Sequence, residues 1–363
     1  MKYIDELLKG HEVEWKKLGE VAELKRGKSI TKKIATEGIY PVISGGQKPA
    51  YYIDSFNREG ETITIAGSGA YAGFVMYWKE PIFVSDAFSI KINDEKVLSR
   101  YIYYFLLSVQ EKIYDLKAGG GVPHVYAKDV ARFLIPIPPL SVQERIVEIL
   151  DKFTTLEAEL EAELDCRKRQ YEFYRNQLLT FEYEVEWKTL GEIAVNFDTM
   201  RKPITSGKRE EGTIPYYGAS GVVDYVKGFI FDGDYLLVSE DGANLIARTT
   251  PIAFSISGKS WVNNHAHVLK FNTYEERRFV EYYLNSIDLT PYISGASQPK
   301  LNQKNLNKIK IPIPPLAEQE RIVSILDKFD TLTTSISEGL PKEIELRRKQ
   351  YEYYRERLLS FKH

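Results

Sequence analysis

Apolar residues recur at spacings of mostly three and four at Ile146, Ile149, Phe153, Leu156, Leu160, Leu164, Tyr171, Tyr174 and Leu178. That spacing places one apolar seam along a helix of about 40 residues, roughly 60 Å long at 1.5 Å per residue. The run Ile135-Pro136-Ile137-Pro138-Pro139 precedes it, and proline excludes a continuing helix or a central strand there. Ser141-Val-Gln-Glu144 reads as a capping box that starts the helix. A second seam follows at Ile322, Ile325, Phe329, Leu332 and Ile336, then Ile344, Tyr351, Tyr354 and Leu358. Here Ala317 stands where Ser141 did, and proline near Gly339-Leu340-Pro341 is expected to kink or interrupt the helix. The rest of the chain carries short strand-like runs, such as 62–66, 74–78 and 235–239, between Gly-rich turns. One amphipathic helix is expected at 100–113, after Ser99. Another follows Thr273, where Thr-Tyr-Glu-Glu276 makes a capping box.

The pattern is written twice. Residues 13–20, VEWKKLGE, recur as VEWKTLGE at 185–192. Residues 135–156 recur at 311–332 and differ only at Ser141/Ala317, Val142/Glu318, Glu148/Ser324 and Thr154/Asp330. RKRQYEFYRNQLLTF at 167–181 returns as RRKQYEYYRERLLSF at 347–361, shifted by four further residues. The variable stretches between these blocks share only a skeleton. Tyr40-Pro41 with Ser44-Gly45-Gly46 matches Ile214-Pro215 with Gly218-Ala219-Ser220. The run from Glu61 to Gly69 matches the run from Asp234 to Gly242, and Ala87 to Lys91 matches Ala266 to Lys270.

The fold class is therefore α+β: two repeated, mainly β domains joined by two long antiparallel helices with pseudo-two-fold, circular symmetry. The domains are read as 1–135 and 183–310, and the helical spacers as 136–182 and 311–363. A lone helix with an exposed seam does not stand free. The economical pairing sets seam against seam, through Ile146, Ile149, Phe153, Leu156, Leu160 and Leu164 on one side and Ile322, Ile325, Phe329 and Leu332 on the other. The alternative packs each helix on its own domain. Circular closure would bring residues 1–12 near the second helix's end.

Composition narrows the class. The net charge is −2 and the pI about 6.3, which rules out a globally basic nucleic-acid coat but leaves local patches open. No apolar run reaches the roughly 18 residues of a membrane span, the first residues form no apolar signal region, and a cytoplasmic protein is the simplest reading. The single cysteine, Cys166, excludes an intramolecular disulfide framework and a multi-thiolate zinc site.

Catalytic constellations are missing. Gly-Lys-Ser at 27–29 and 258–260 lacks the upstream glycine of a phosphate-binding loop, with Ala22 and Ala253 at that place. His265-x-His267 can set two imidazoles on one strand face but brings no third ligand. No catalytic residue, metal or cofactor is expected. What remains is a recognition surface. Residues 13–135 carry 17 Lys+Arg against 14 Asp+Glu, residues 183–310 carry 15 against 15, and residues 141–182 carry 6 against 10. The cations between residues 24 and 48, among them Lys25, Arg26, Lys28 and Lys48, suit phosphate contacts. Ser44, Gln47, Ser68, Tyr71 and His124 complete the candidate DNA-binding set of the first domain. In the second it comprises Arg201, Lys202, Ser220, Asn244 and Arg248, with His265 and the turn residues Gln298 and Lys300. Such side chains on Gly-rich turns can read base edges, and they are equally ordinary turn residues.

The doubled layout, the V-E-W-K-x-L-G-E openings, the paired I-P-I-P-P-L-x-x-Q-E-R-I-V segments and the closing R-x-x-Q-Y-E-x-Y-R segments together resemble the specificity subunits of type I restriction–modification systems. The likeness spans essentially the whole chain. It implies a non-catalytic subunit with two target-recognition domains, each reading one half of a split double-stranded DNA site. It also implies two docked methyltransferase (modification) subunits, and a restriction–translocase subunit as a further partner. A two-headed protein-interaction scaffold is the competing reading. The tandem Leu-Glu-Ala-Glu unit at 156–163 then acts as a ruler. One added unit lengthens the helix by about 6 Å, against about 3.4 Å per base pair of B-DNA. The expected outcome is an unread gap longer by one or two base pairs with both half-site sequences unchanged, measured as the methylated motif of cells carrying the insertion.

Overall fold

The repeated V-E-W-K and I-P-I-P segments pair with each other. Glu14–Lys17 runs antiparallel to Leu134–Ile137, with Trp15 opposite Pro136. Glu186–Thr189 runs antiparallel to Lys310–Ile313, with Trp187 opposite Pro312. Both are two-stranded sheets, where a proline breaks no central ladder. Each pair closes the root of one variable domain, so the repeated blocks are strand partners of each other. The computed structural model describes residues 2–295 and 298–361. It divides into two compact units, Met1–Glu161 with Glu343–His363, and Ala162–Lys342.

In the first unit a four-stranded antiparallel sheet has the order Ala22–Arg26, Ala87–Ile92, Thr62–Ala66, Val75–Trp78. The second unit repeats it as Val195–Asn196, Ala266–Lys270, Tyr235–Ser239, Ala253–Ile256. Thr62–Ala66 and Tyr235–Ser239 are buried at every position, as expected for a strand covered on both faces. A smaller sheet stands beside each. In it Tyr40–Ile43 pairs parallel with Phe83–Val84, and Glu211–Gly218 pairs parallel with Lys259–Val262.

The first amphipathic segment is two helices, Ser99–Ser108 and Gln110–Tyr114, broken at Val109. Leu98, not Ser99, holds the cap position. The second, Tyr274–Ser286, starts as expected, with Thr273 Oγ1 accepting the Glu276 N–H.

The long helix spans Leu140–Leu178. It begins before Ser141, so Ser141 is not its cap. The N–H groups of Val142 and Gln143 bond to the Pro139 carbonyl instead. Ala317 at the matching place is therefore no loss, since the Leu316–Thr334 helix starts after Pro315 without a side-chain cap. The repeated glutamine carries the junction. Gln143 is buried, donates to the carbonyls of Pro138 and Lys96 at 2.8 Å each, and accepts the Leu98 N–H at 2.9 Å. Gln319 donates to the Pro314 carbonyl at 2.9 Å.

The seam has two faces rather than one. Ile146 and Ile322 are fully buried, and the unassigned Val142, Leu150, Val323 and Leu326 are buried beside them. Ile146 shares a core with Tyr101 and Ile102 of its own domain and also with Leu358 and Leu359. Ile322 shares one with Phe279 and Val280 and also with Leu179. The two packing alternatives thus hold together: each helix rests on its own domain and on a second helix. In the first unit Phe153 stacks on Tyr354 at 5.3 Å, and Arg348 pairs with Glu157 and Glu161. In the second, Tyr171 and Tyr174 meet Phe329 at 6.3 and 5.7 Å. In the first, contacts ascend one helix as they descend the other, so the pairing is antiparallel. Ile149, Leu156, Leu160, Leu164, Ile325 and Leu332 are half-buried.

The interruption falls between Leu316–Thr334 and Leu340–Leu359. Ile336 lies within it and is 83% exposed, so it leaves the seam. Gly339 turns the chain with φ +84°, and a Cβ there would lie 2.4 Å from the Thr331 carbonyl oxygen. The helix Lys2–Leu8 places Ile4 in the same core as Leu358 and Leu359. No helix among the described residues is long and apolar enough to cross a membrane.

A clasp repeats between domain and helix. Arg100 Nε donates to Asp151 at 2.8 Å, and Tyr104 OH bonds the same carboxylate. Arg278 Nε donates to Asp327 at 3.0 Å and Tyr282 OH at 2.6 Å.

Candidate nucleic-acid interface

The turns that follow the central strands form the same backbone frame in both units. In the first, the Gly69 N–H bonds to the Pro123 carbonyl, Val125 N–H to Gly67, and Gly67 N–H to Asp86. In the second, Gly242 N–H bonds to Pro299, Leu301 N–H to Glu240, and Glu240 N–H to His265. The isolated bridges match too: Ser68 with His124 and Ala118 with His124, against Asp241 with Lys300 and Ser294 with Lys300. Position by position, Ser68 corresponds to Asp241, Tyr71 to Asn244, Asp86 to His265 and His124 to Lys300. Likewise Lys28 N–H bonds to Val84 and Lys202 N–H to Val262, so the two lysines correspond.

The first frame gathers Ser44, Ser68, Tyr71 and His124. Ser68 Oγ donates to Asp86. Gly45 passes so close that a Cβ would meet the Ser68 carbonyl oxygen at 2.4 Å, which requires glycine. His124 stacks on Tyr126 at 6.1 Å, with Lys128 Nζ 5.6 Å from that ring. Tyr71 is 47% exposed. Lys25, Arg26, Lys28, Gln47 and Lys48 are exposed. The Lys25 and Arg26 carbonyls accept from Arg58, which fixes that strand end. Asp86, Tyr126 and Lys128 join this frame without a local sequence pattern that sets them apart; the Pro-His of 123–124 and the Pro-Lys of 299–300 are the signal that marks their frame.

The second frame gathers Asp241, His265, Gln298 and Lys300 around a cleft of about 760 Å³. His265 Nδ1 lies 2.9 Å from both Asp241 carboxylate oxygens. Lys300 Nζ lies 3.0 Å from Glu240. Ser220 is exposed in the turn between Glu211–Gly218 and Gly221–Val226, and Lys202 is exposed. In the turn that bears Gln298 and Lys300, Ala296 and Ser297 lie outside the described residues.

Three further candidates are engaged or placed away from the loop frame. Arg201 is enclosed, 13% exposed, between Glu240 at 2.5 Å and Asp198 at 3.3 Å, and it holds the frame instead of facing a phosphate. Asn244 spends its amide on Thr249 and Thr250, fixing its loop. Arg248 lines a different cleft. His265 and His267 do not share a face. His265 precedes the strand Ala266–Lys270, while His267 is fully buried, with Nδ1 2.6 Å from Asp198 and Nε2 2.7 Å from the Leu301 carbonyl.

Asp198, Glu240 and His267 converge closely enough to hold a metal ion. The donor set does not fit one, because the Arg201 guanidinium already balances both carboxylates and both imidazole nitrogens are engaged. Burial alone would raise the Asp198 carboxyl; hydrogen bonding to His267 and the Arg201 charge outweigh it and hold it below its ordinary range. Glu240 is likewise held low against burial, by Arg201 and Lys300.

On the helices, Phe173, Tyr174 and Tyr183 are 63%, 42% and 52% exposed in the second unit. Tyr353 and Tyr354 occupy the matching places in the first, at 49% and 37%.

The sequence model of the "Type I restriction modification DNA specificity domain" matches residues 11–165 and again 183–346. A type I restriction enzyme specificity subunit of Escherichia coli is 35% identical over 405 aligned positions, covering 99% of this chain and 97% of that protein. A putative type I restriction enzyme specificity subunit of Haemophilus influenzae is 33% identical over 389, covering 99% and 98%. The crystal structure of the type I restriction–modification S subunit from M. genitalium superposes with a TM-score of 0.67 at 21% identity, over 98% of each chain, and shows the shared fold. The chain belongs to the family of type I restriction–modification DNA specificity subunits.

Proposed function

We propose that each recognition domain reads one half of a split DNA target through its own loop frame. The domain limits are 1–135 and 183–310. The observation that carries this reading is the frame itself: one backbone arrangement occurs twice, bearing Ser68, Asp86 and His124 in one copy and Asp241, His265 and Lys300 in the other. A common scaffold with different hydrogen-bonding side chains is what two readers of different sequences need. Lys25, Arg26, Lys28 and Lys48, with Lys202 opposite, contact phosphates and set the register. Ser44, Gln47, Ser68, Tyr71 and His124, and Ser220, His265, Gln298 and Lys300, face the bases.

The repeated helical surfaces each dock one modification subunit, two in all, and a restriction subunit joins that assembly in the cytoplasm. Chemistry resides in the partners, which extrude and modify the target base while this chain holds the duplex.

The test uses the chain with its modification subunit. Lys300→Ala should weaken binding to the cognate duplex by about 5–150-fold, the 1–3 kcal/mol of one base contact. The loss should map to base changes in one half-site only. Affinity unchanged by this variant, or an effect spread over both half-sites, would contradict the reading.

A further inference from the structure

The second unit holds a cleft beside the clasp between its domain and its helices. In the first unit, Tyr77 and Tyr103 pack at 5.3 Å, and the Arg100 guanidinium lies 4.6 and 5.1 Å from their rings. Strand register places Ser255 where Tyr77 stands, since Ser255 faces Leu236 as Tyr77 faces Ile63. The repeated clasp places Glu281 where Tyr103 stands. Ser255 Oγ donates to Glu281 at 2.5 Å, and two rings are exchanged for two small polar groups. The space they leave opens as a cleft of about 650 Å³.

Its cations are unevenly matched. Arg278 is surrounded by Glu281 at 2.5 Å, Asp327 at 2.9 Å and Asp330 at 3.1 Å, so the cleft's two carboxylates, Glu281 and Asp330, are already engaged. Arg175 and Arg248 line the same cleft, and neither makes an ion pair among the described residues. Arg175 meets Asn176 Oδ1 at 3.3 and 3.4 Å and lies over the Tyr171 ring at 5.5 Å, where it also interacts with the Tyr171 hydroxyl. Arg248 Nη1 makes one long contact, 3.4 Å to the Asn285 carbonyl, and its Nη2 is buried with no hydrogen-bond partner. Arg248 also sits in the left-handed region at φ 50°, one of two such non-glycine residues described, a conformation that costs energy unless something holds it. Burial lowers the Arg248 guanidinium below its ordinary range, Asp288 partly offsets this, and the like charge of Arg175 adds to it.

An orphaned buried donor and two unpaired like charges facing one cleft are relieved together by a single oxyanion. Guanidinium forks match the oxygens of a phosphoryl group in two-point contacts. We propose that this cleft binds a phosphate group between Arg175 and Arg248, at a site separate from the base-reading loops. Free nucleotides and the DNA backbone both present that chemistry.

The test titrates the full chain with inorganic phosphate by calorimetry in a chloride buffer of low ionic strength. One saturable site is expected. Arg175→Gln and Arg248→Gln should each weaken it at least tenfold. Ser255→Tyr, which restores the first unit's ring and keeps both arginines, should do the same. Lys304→Gln, the same charge change elsewhere on the second unit, should leave it unaltered. Melting without phosphate confirms that each variant is folded, and Ser255→Tyr carries the test if an arginine variant is not. Displacement of phosphate by ATP identifies a free nucleotide as the source, and displacement by a short duplex identifies the DNA backbone. Absence of saturable phosphate binding by the unaltered chain, or undiminished binding by Arg248→Gln and Ser255→Tyr, would overturn the proposal.

Discussion

Arg201→Ala is expected to lower the stability of the second recognition domain by about 3–5 kcal/mol, the cost of stranding buried charge. The guanidinium is the cation between Glu240 and Asp198, and it also donates to the Ala266 carbonyl at 2.9 Å. Its removal leaves two mostly buried carboxylates facing each other beside His267. The frame that carries Asp241, His265 and Lys300 hangs on this network, because the Glu240 carbonyl accepts the Leu301 N–H. The pH dependence follows with a definite sign. Asp198 and Glu240 sit below their ordinary values in the folded chain. Folding therefore gains stability that is fully present above the unfolded carboxylate range near about pH 4 and is lost as pH falls through the depressed folded values. Without Arg201 the two carboxyls move upward, and the loss begins at higher pH. Thermal melting of the full chain between about pH 2 and 7 measures both effects. A variant that melts with the unaltered chain at every pH would show that the network carries no stability.

The second large effect concerns the helix pair. Phe153→Asp should destabilise the first unit by about 2–4 kcal/mol, since it removes a half-buried ring and places a carboxylate in an apolar contact. Phe153 stacks on Tyr354, and the adjacent Leu358 and Leu359 close the core shared with Ile146 and Leu150. The Leu340–Leu359 helix should then detach, and the segment 335–339 should become the preferred site of proteolytic cleavage. Unchanged melting with unchanged proteolysis would remove Phe153 from the pairing surface.

Much of this architecture is legible in the sequence because it is repeated. Matched V-E-W-K and I-P-I-P blocks turn out to be strand partners, and proline with a four-residue insertion marks the helix interruption. Features that depend on burial across distant segments are not legible. The partner of Arg201 lies 39 residues away in Glu240, so a cation that looks available for phosphate is consumed inside the frame. Gln143 resembles a solvent-facing helix residue, yet it turns inward, where the Pro138 and Lys96 carbonyls take its amide hydrogens. Helical periodicity places Ile336 on the seam, but the chain has left the helix by then. The correspondence of His124 with Lys300 is obscured because the loops before them differ in length and composition; apart from the proline before each, it takes the shared bridges and backbone bonds to reveal it.

The central claim is that two independent readers sit on one repeated frame. Its most direct measurement is the methylated motif, read by single-molecule sequencing, of cells in which residues 13–135 are replaced by the first domain of another family member. The account predicts that one half of the motif changes to the donor's sequence while the other half is retained. A motif altered in both halves, or in neither, would contradict it.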